Sequence, residues 1–334
     1  MFFVDYNFNR QMDEGENIGE ETFSIASGVI DSFTIQFDTS EKCYYLFGFS
    51  VSNADDINNQ NNIVFISYNS PVNYPIAISE IMFAPEGDNP EWLEIYQNFD
   101  HSVNLNGWQI ADAGDTLVLS YDVVFSPGEY LILVSSENDS SDFIAQYPQV
   151  DCKIIIGLPT LNNDEDKLIL FDNFHTIIDS VYYKSDWGED IHNSLERVNM
   201  NVNSNLPSNW ESSLKGATPG EVNSIYVDKL PKNVSLYIIP NPISLRNKTS
   251  VLISYDLPEV LSEVNIRIFD IKGRLIKKIV DQCWFASQGE ITWNCRNEDN
   301  IIVPTGIYIV QLEAVGKASR KVYKKVKTMV IGEK

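Results

Sequence analysis

Ile78-Ser79-Glu80-Ile81-Met82, Pro90-Glu91-Trp92-Leu93-Glu94-Ile95-Tyr96, Leu105-Asn106-Gly107-Trp108-Gln109-Ile110 and Ser126-Pro127-Gly128-Glu129-Tyr130-Leu131-Ile132-Leu133 follow one another in this chain. Each is a short apolar run bounded by Gly, Pro, Asn or Asp. Runs of this kind at short intervals read as the strands of β-sandwiches. The stretch continues through Leu161-Asn162-Asn163, Ser194-Leu195-Glu196-Arg197, Asn209-Trp210 and Thr218-Pro219-Gly220-Glu221-Val222-Asn223. Trp92, between Glu91 and Leu93, falls in an alternating run, and it, Trp108 and Trp210 are expected in the sandwich core.

The same pattern extends in both directions. Phe33-Thr34-Ile35-Gln36-Phe37 and Val264-Asn265-Ile266-Arg267-Ile268 alternate with period two, as strands do. Residues 1–70 leave room for about five strands. One helix is expected around Ser141–Tyr147, capped by Ser140 or Ser141 and ended by Pro148. Polar, proline-containing segments at 67–75 and 223–235 have the character of domain linkers. In the last segment, Asp270-Ile271-Lys272-Gly273-Arg274 predicts a tight connection with Gly273 at positive φ.

A length of 334 residues allows two or three domains, and a hydrophobic content of 43% suffices for packed cores. No apolar run reaches the ~20 residues of a membrane-spanning helix. The start, Met1-Phe2-Phe3-Val4-Asp5, lacks the basic segment and apolar core of a secretory signal and reads as strand. The expectation is therefore a fragment whose upstream part, with any signal peptide, is absent. The net charge of −23 divides into −9 over 1–70, −20 over 71–223 and +6 over 224–334. Such acidity repels phosphate backbones, so nucleic-acid binding by the first two segments is not expected. The carboxylates read mainly as a solvated acidic exterior.

Chemistry-bearing residues are few. His101, His175 and His192 are isolated in sequence, and nucleophile-elbow, zinc-protease and phosphate-loop motifs are absent. No catalytic residue is assigned. Carboxylates cluster at Asp112 and Asp115, at Asp164-Glu165-Asp166, and at Asp186, Glu189 and Asp190. Calcium favours such oxygen-rich loops, yet turn formation explains the same residues, and none has EF-hand spacing. No resident cofactor is expected, and these loops are where calcium would be sought. Cys43, Cys152, Cys283 and Cys295 are too few for a disulfide framework; only Cys283 and Cys295 share a segment in which paired strands could bring them together. Trp187, in Ser185-Asp186-Trp187-Gly188, is the aromatic residue expected to be exposed, where a ring could stack on a sugar.

The order of motifs from Ile78 to Asn223 resembles the lamin-tail domain, an immunoglobulin-like β-sandwich also found in bacterial surface and secreted proteins. Residues 1–70, closing on Asp55-Asp56 and Asn61-Asn62, resemble the C-terminal part of a CARDB-type adhesion domain. The last segment runs from Pro240-Asn241-Pro242 through Trp293-Asn294 to Val303-Pro304-Thr305-Gly306-Ile307-Tyr308. It is similar to the immunoglobulin-like domain of the flagellar hook-capping protein and to the type IX secretion C-terminal sorting domain. These resemblances imply an all-β chain of three consecutive immunoglobulin-like β-sandwich domains, at 1–70 (incomplete), 71–226 and 227–334.

They also imply a non-catalytic, extracellular or cell-surface modular protein acting in adhesion, interaction or scaffolding. Its partners would be other surface proteins or glycans, and its last domain would serve secretion or surface attachment. The competing expectation is the C-terminal accessory region of a larger secreted hydrolase such as a nuclease. Lys317, Arg320, Lys321, Lys324, Lys325 and Lys327 near the terminus suit either a protected edge strand or recognition by a secretion machine.

Overall fold

The structure is a computed structural model that describes residues 1–332 except 7–8, 27–28, 31, 33, 39–43, 59–60, 70–73, 101, 189 and 246–249. Phe33, Cys43, His101 and Glu189 thus lie outside the described residues. The chain is all-β, with immunoglobulin-like sandwich architecture, and it divides into two compact units. The first comprises Met1–Trp210 with Pro219–Glu221, and the second Glu211–Thr218 with Val222–Lys334.

The first unit begins with a four-stranded antiparallel sheet. Its strands are β1 (Phe2–Asp5), β2 (Asn17–Gly19), β3 (Tyr44–Ser50) and β4 (Ile63–Asn69), in the order β2-β1-β3-β4. Four strands are present among the described residues where about five are expected, and Thr34–Phe37 form none. Ile35 is exposed there, so alternation alone did not supply a partner strand. Leu46 of β3 joins the main core, and Phe65 of β4 packs against it.

That core lies between two sheets. The larger contains β5 (Ile76–Met82), β6 (Trp92–Gln97), β11 (Tyr130–Val134), β12 (Lys153–Ile156), β15 (Leu195–Arg197) and β16 (Trp210–Ser212). Their order is β12-β11-β6-β5-β15-β16. The smaller contains β8 (Gln109–Ala111), β9 (Thr116–Val118), β13 (Glu165–Phe171) and β14 (Ile177–Lys184), ordered β14-β13-β8-β9, and β7 (Val103–Asn104) pairs with β10 (Val124–Phe125). Ile78, Ile81, Leu93, Ile95, Leu131 and Leu133 meet Trp108, Ile110, Leu168, Leu170, Val181 and Tyr183 across the gap. Gly107 makes the turn before Trp108 at φ 82, and a Cβ there would stand 2.9 Å from Asn173 Cβ. That combination requires glycine.

The larger sheet has a second buried face. α1 (Glu137–Gln146) connects β11 to β12, which run parallel. Parallel neighbours need such a crossover. The helix starts earlier than the sequence suggested: Ser136 is the cap, its Oγ accepting the Asp139 N–H at 3.2 Å, while Ser140 and Ser141 lie inside. Phe143 of α1 is fully buried and meets Trp92 edge-on, ring centres 5.7 Å apart. Trp92 is therefore buried as expected, but beneath the helix. Trp108 and Trp210 are the tryptophans of the inter-sheet core.

The second unit is one sheet curled about its own core. Its strands are β17 (Ser235–Ile239), β18 (Ile243–Ser244), β19 (Val251–Asp270), β20 (Leu275–Trp293), β21 (Gly306–Gly316) and β22 (Val322–Gly332). The order is β17-β19-β21-β22-β18, with β20 also on β19. Gly273 takes φ 77 in the β19–β20 turn, as expected, and Asp270 accepts the backbone N–H groups of Lys272 and Arg274, both at 2.9 Å. Pro258 falls where the β19–β20 register shifts, the position a strand proline tolerates. Cys283 and Cys295 are not bonded: Cys283 is exposed on β20 opposite Val264, while Cys295 is buried beyond the strand end.

Two edge strands are capped by asparagine carboxamides. Asn205 Oδ1 accepts the Tyr182 N–H at 2.9 Å, and its Nδ2 donates to the Ser180 carbonyl at 2.8 Å. Asn241 does the same to β22, accepting from Val330 N and donating to Thr328 O, both at 2.9 Å. Each amide imitates the next strand and satisfies backbone groups that an edge leaves open.

Candidate functional site

Three arrangements of polar side chains stand out in the first unit. The first is a row of glutamates on the covered face of the larger sheet. Glu80 lies opposite both Glu94 on β6 and Glu196 on β15, and all three are fully buried. The row exists because β5 is irregular between Ile78 and Glu80. Were Ser79 paired as a regular strand residue, strict alternation from Ile76 and Ile78 would turn Glu80 into the apolar core. The bulge turns it out and returns Ile81 to the core. Ser79 Oγ donates to Glu94 Oε1 at 2.6 Å, Ser194 Oγ donates to Glu80 Oε1, and Gly220 N–H donates to Glu94 Oε2 at 2.7 Å. Burial raises Glu94 well above the usual carboxylate range, and the Glu80 and Glu196 charges raise it further. Nearby, burial and the Glu80 charge push the Tyr147 hydroxyl up to about 12, and burial and the Glu94 charge push the Cys152 thiol up to about 12. These three carboxylates are exceptions to the solvated exterior expected for most of the acidic residues.

The second arrangement is a buried ion pair across the sandwich. Arg197 Nη1 stands 2.6 Å from Asp179 Oδ2, and both side chains are inaccessible to solvent. Arg197 also donates to the Ile78 carbonyl at 3.1 Å and the Val202 carbonyl at 2.8 Å, with Tyr74 stacked 4.6 Å from its guanidinium. Asp179 accepts further bonds from Ile78 N, Ser180 N and Ser204 Oγ. The pair joins β15 of one sheet to β14 of the other. Around it, Trp210 Nε1 donates to Ser204 O at 2.7 Å, and Asn209 ties down the Asn199 and Val202 carbonyls. The Ser194–Arg197 and Asn209-Trp210 motifs therefore serve architecture.

The third is an exposed groove beside β14. Tyr182, Lys184, Asp186, Trp187, Asn205 and Pro207 line about 520 Å³ of open space. Tyr182 and Lys184 point outward because Val181 and Tyr183, one residue off in phase, point into the core. Lys184 bridges to Glu165 at 2.9 Å from the neighbouring strand, and its ammonium stands 5.3 Å from the Tyr182 ring centre. Glu165 also accepts from the Tyr182 hydroxyl, which raises that hydroxyl's pKa and lowers the carboxyl's. Trp187, on the 3-10 turn Ser185–Trp187, is half-buried and packs partly against the core, where the sequence suggested an exposed ring.

Asp112, Asp166 and Asp190 are spent on local hydrogen bonds. Asp112 Oδ1 accepts from Gly114 N and Asp115 N, Asp166 Oδ2 from Asn162, and Asp190 Oδ1 from His192 N. His175 stacks on Phe171 at 4.2 Å and meets Gln109, whereas His192 contacts the Ala84 carbonyl. The two do not share a partner. Among the described residues, no three His, Cys, Asp or Glu side chains are grouped to hold a metal ion. No helix among them is long and apolar enough to cross a membrane. The glutamate row was missed in sequence; the spacing Ile76, Ile78, Ile81, two and then three, marks the bulge that creates it.

No curated protein matches this chain. Among solved structures, latent PorU from Porphyromonas gingivalis is 12% identical, with 87% of this chain and 24% of that one covered and a TM-score of 0.25. PorZ, described as a surface component of the type-IX secretion system of the same bacterium, is 13% identical, with coverages of 86% and 35% and a TM-score of 0.24. The BSP domain of a biofilm associated protein is 10% identical, with coverages of 78% and 30% and a TM-score of 0.19. The chain spans about a quarter to a third of these proteins, and such TM-scores fall short of a shared fold. The Lamin Tail Domain family matches residues 69–185, the part of the first unit that holds most of the sandwich.

Proposed function

We propose that this chain is a non-catalytic, extracellular modular protein acting in surface adhesion or scaffolding. The observation that carries the reading is the commitment of its polar residues. Buried carboxylates, serines and Arg197 hold strands together, and Asp112 caps a turn. The match of 69–185 to the Lamin Tail Domain supports the same view of the middle segment. In this reading residues 1–70 serve as an adhesion-type segment and 71–226 as a lamin-tail segment, and 227–334 serve sorting or attachment. In the last, β22 pairs β18 only at Ile331 and Gly332. The edge from Val322 onward presents Lys324, Lys325 and Lys327.

The reading is tested by incubating the purified chain with panels of nucleic acids, phosphoesters and polysaccharides. No turnover above background is expected. Hydrolysis of any of them that a single substitution abolishes would overturn it.

A further inference from the structure

We propose that the groove beside β14 binds a neutral saccharide, with Trp187 and Tyr182 as the stacking rings. This rests on the adhesion reading and names its ligand class. The groove brings two partly exposed aromatic rings together with hydroxyl, carboxamide, carboxylate and ammonium groups. An apolar sugar face covers a ring, while its hydroxyls need donors and acceptors at the rim, so both kinds of group are required at one place. Its volume, about 520 Å³, lies in the ~300–1,000 Å³ range of small-ligand sites.

The groove is built before any ligand arrives. Glu165 and Lys184 hold Tyr182 from the side, and Asn205 fixes the backbone beneath it. One part of Trp187 is anchored on the core, which orients the rest. Little ordering remains to be done on binding. Asn205 Oδ1 and Nδ2 each spend one bond on the strand edge and keep a lone pair and a proton for a ligand. Charge selects the class of sugar. Residues 71–223 carry −20, and Asp186 lies on the rim, so uronic or sulfated chains are repelled. The Lys184 ammonium, the local cation, is already paired with Glu165.

The experiment uses the whole chain on immobilised neutral oligosaccharides (gluco-, manno-, galacto- and N-acetylglucosamine series), with heparin and polygalacturonate as anionic arms. Trp187→Ala and Tyr182→Ala are run in parallel, with unchanged thermal unfolding as the folding control and Trp187→Phe as the conservative variant. Expected is binding of at least one neutral series, weakened about tenfold or more by either alanine and largely restored by Trp187→Phe, the scale of losing one stacking ring. Binding only to the anionic arms, no neutral binding, or neutral binding indifferent to both alanines would overturn the inference. If the chain nevertheless adheres saturably to intact cells, only the groove assignment fails. Loss of adhesion as well would remove the adhesion reading itself.

Discussion

Replacing Arg197 by alanine tests how the sandwich is held together. The substitution strands Asp179 in a dry interface. The lost contacts are a 2.6 Å ion pair, two carbonyl hydrogen bonds and the stacking of Tyr74. Asp179 keeps three donors, Ile78 N, Ser180 N and Ser204 Oγ, so its carboxylate is not left bare. That places the cost within the usual range for breaking a buried pair, about 3–5 kcal/mol. For a unit of this size it amounts to roughly 6–20 °C in Tm. Asp179→Ala should cost at least as much, because it orphans Arg197 and three donors together. The pairwise part is isolated by Arg197→Met, Asp179→Leu and their combination, followed by urea denaturation. A coupling energy of about 2 kcal/mol is expected, with the double variant recovering much of the single losses. If Arg197→Ala costs under about 1 kcal/mol, or the two changes are additive, the pair does not join the sheets.

Other consequences follow from the same side chains. Burial, and then the charge of Glu80, raises Glu94, so the folded chain holds a proton that the unfolded chain releases. That contribution is complete below the unfolded carboxylate pKa and is lost as pH rises through the folded value. Glu94→Gln should therefore flatten the alkaline decline in urea midpoint, and parallel profiles for variant and wild type would refute the raised Glu94 carboxyl. Burial holds the Cys152 thiol near 12 and the Cys295 thiol near 11, whereas Cys283 is exposed. Native alkylation at pH 8 followed by peptide mapping should mark Cys283 well before Cys152 or Cys295. Val310 and Leu312 of β21 are fully buried, so truncation from Ile309 would unfold the second unit rather than test sorting. Changing Lys324, Lys325 and Lys327 to Gln leaves that core intact; it should reduce surface display in an exporting host, and normal display would refute a sorting role for these charges.

Much of the fold was legible because strand burial imposes period two. The runs around Leu93 and Leu131 became core strands as read. The helix was found, but its start was displaced because three serines compete for the cap and only Ser136 precedes a productive first turn. Trp92 read as core because periodicity reports burial without saying which layer does the burying. Thr34–Phe37 failed for the complementary reason: alternation describes a strand's faces and says nothing of its partners. The glutamate row was hidden because carboxylates are usually solvated, and only the bulge at Ser79 reveals that Glu80 and Glu94 share a covered face. At the groove, Trp187 could be singled out in sequence. Tyr182 and Asn205 could not, since they meet only after the loop at 199–209 folds back onto the β14 edge.

The claim at the centre of this account is that the chain binds surfaces and transforms nothing. The most direct measurement is an adhesion isotherm of the intact, fluorescently labelled chain on whole bacterial cells, with unlabelled chain as competitor. The account predicts saturable, displaceable binding that leaves both the chain and the surface material chemically unchanged. Binding that never saturates, or release of cleaved surface material that tracks added protein, would contradict it.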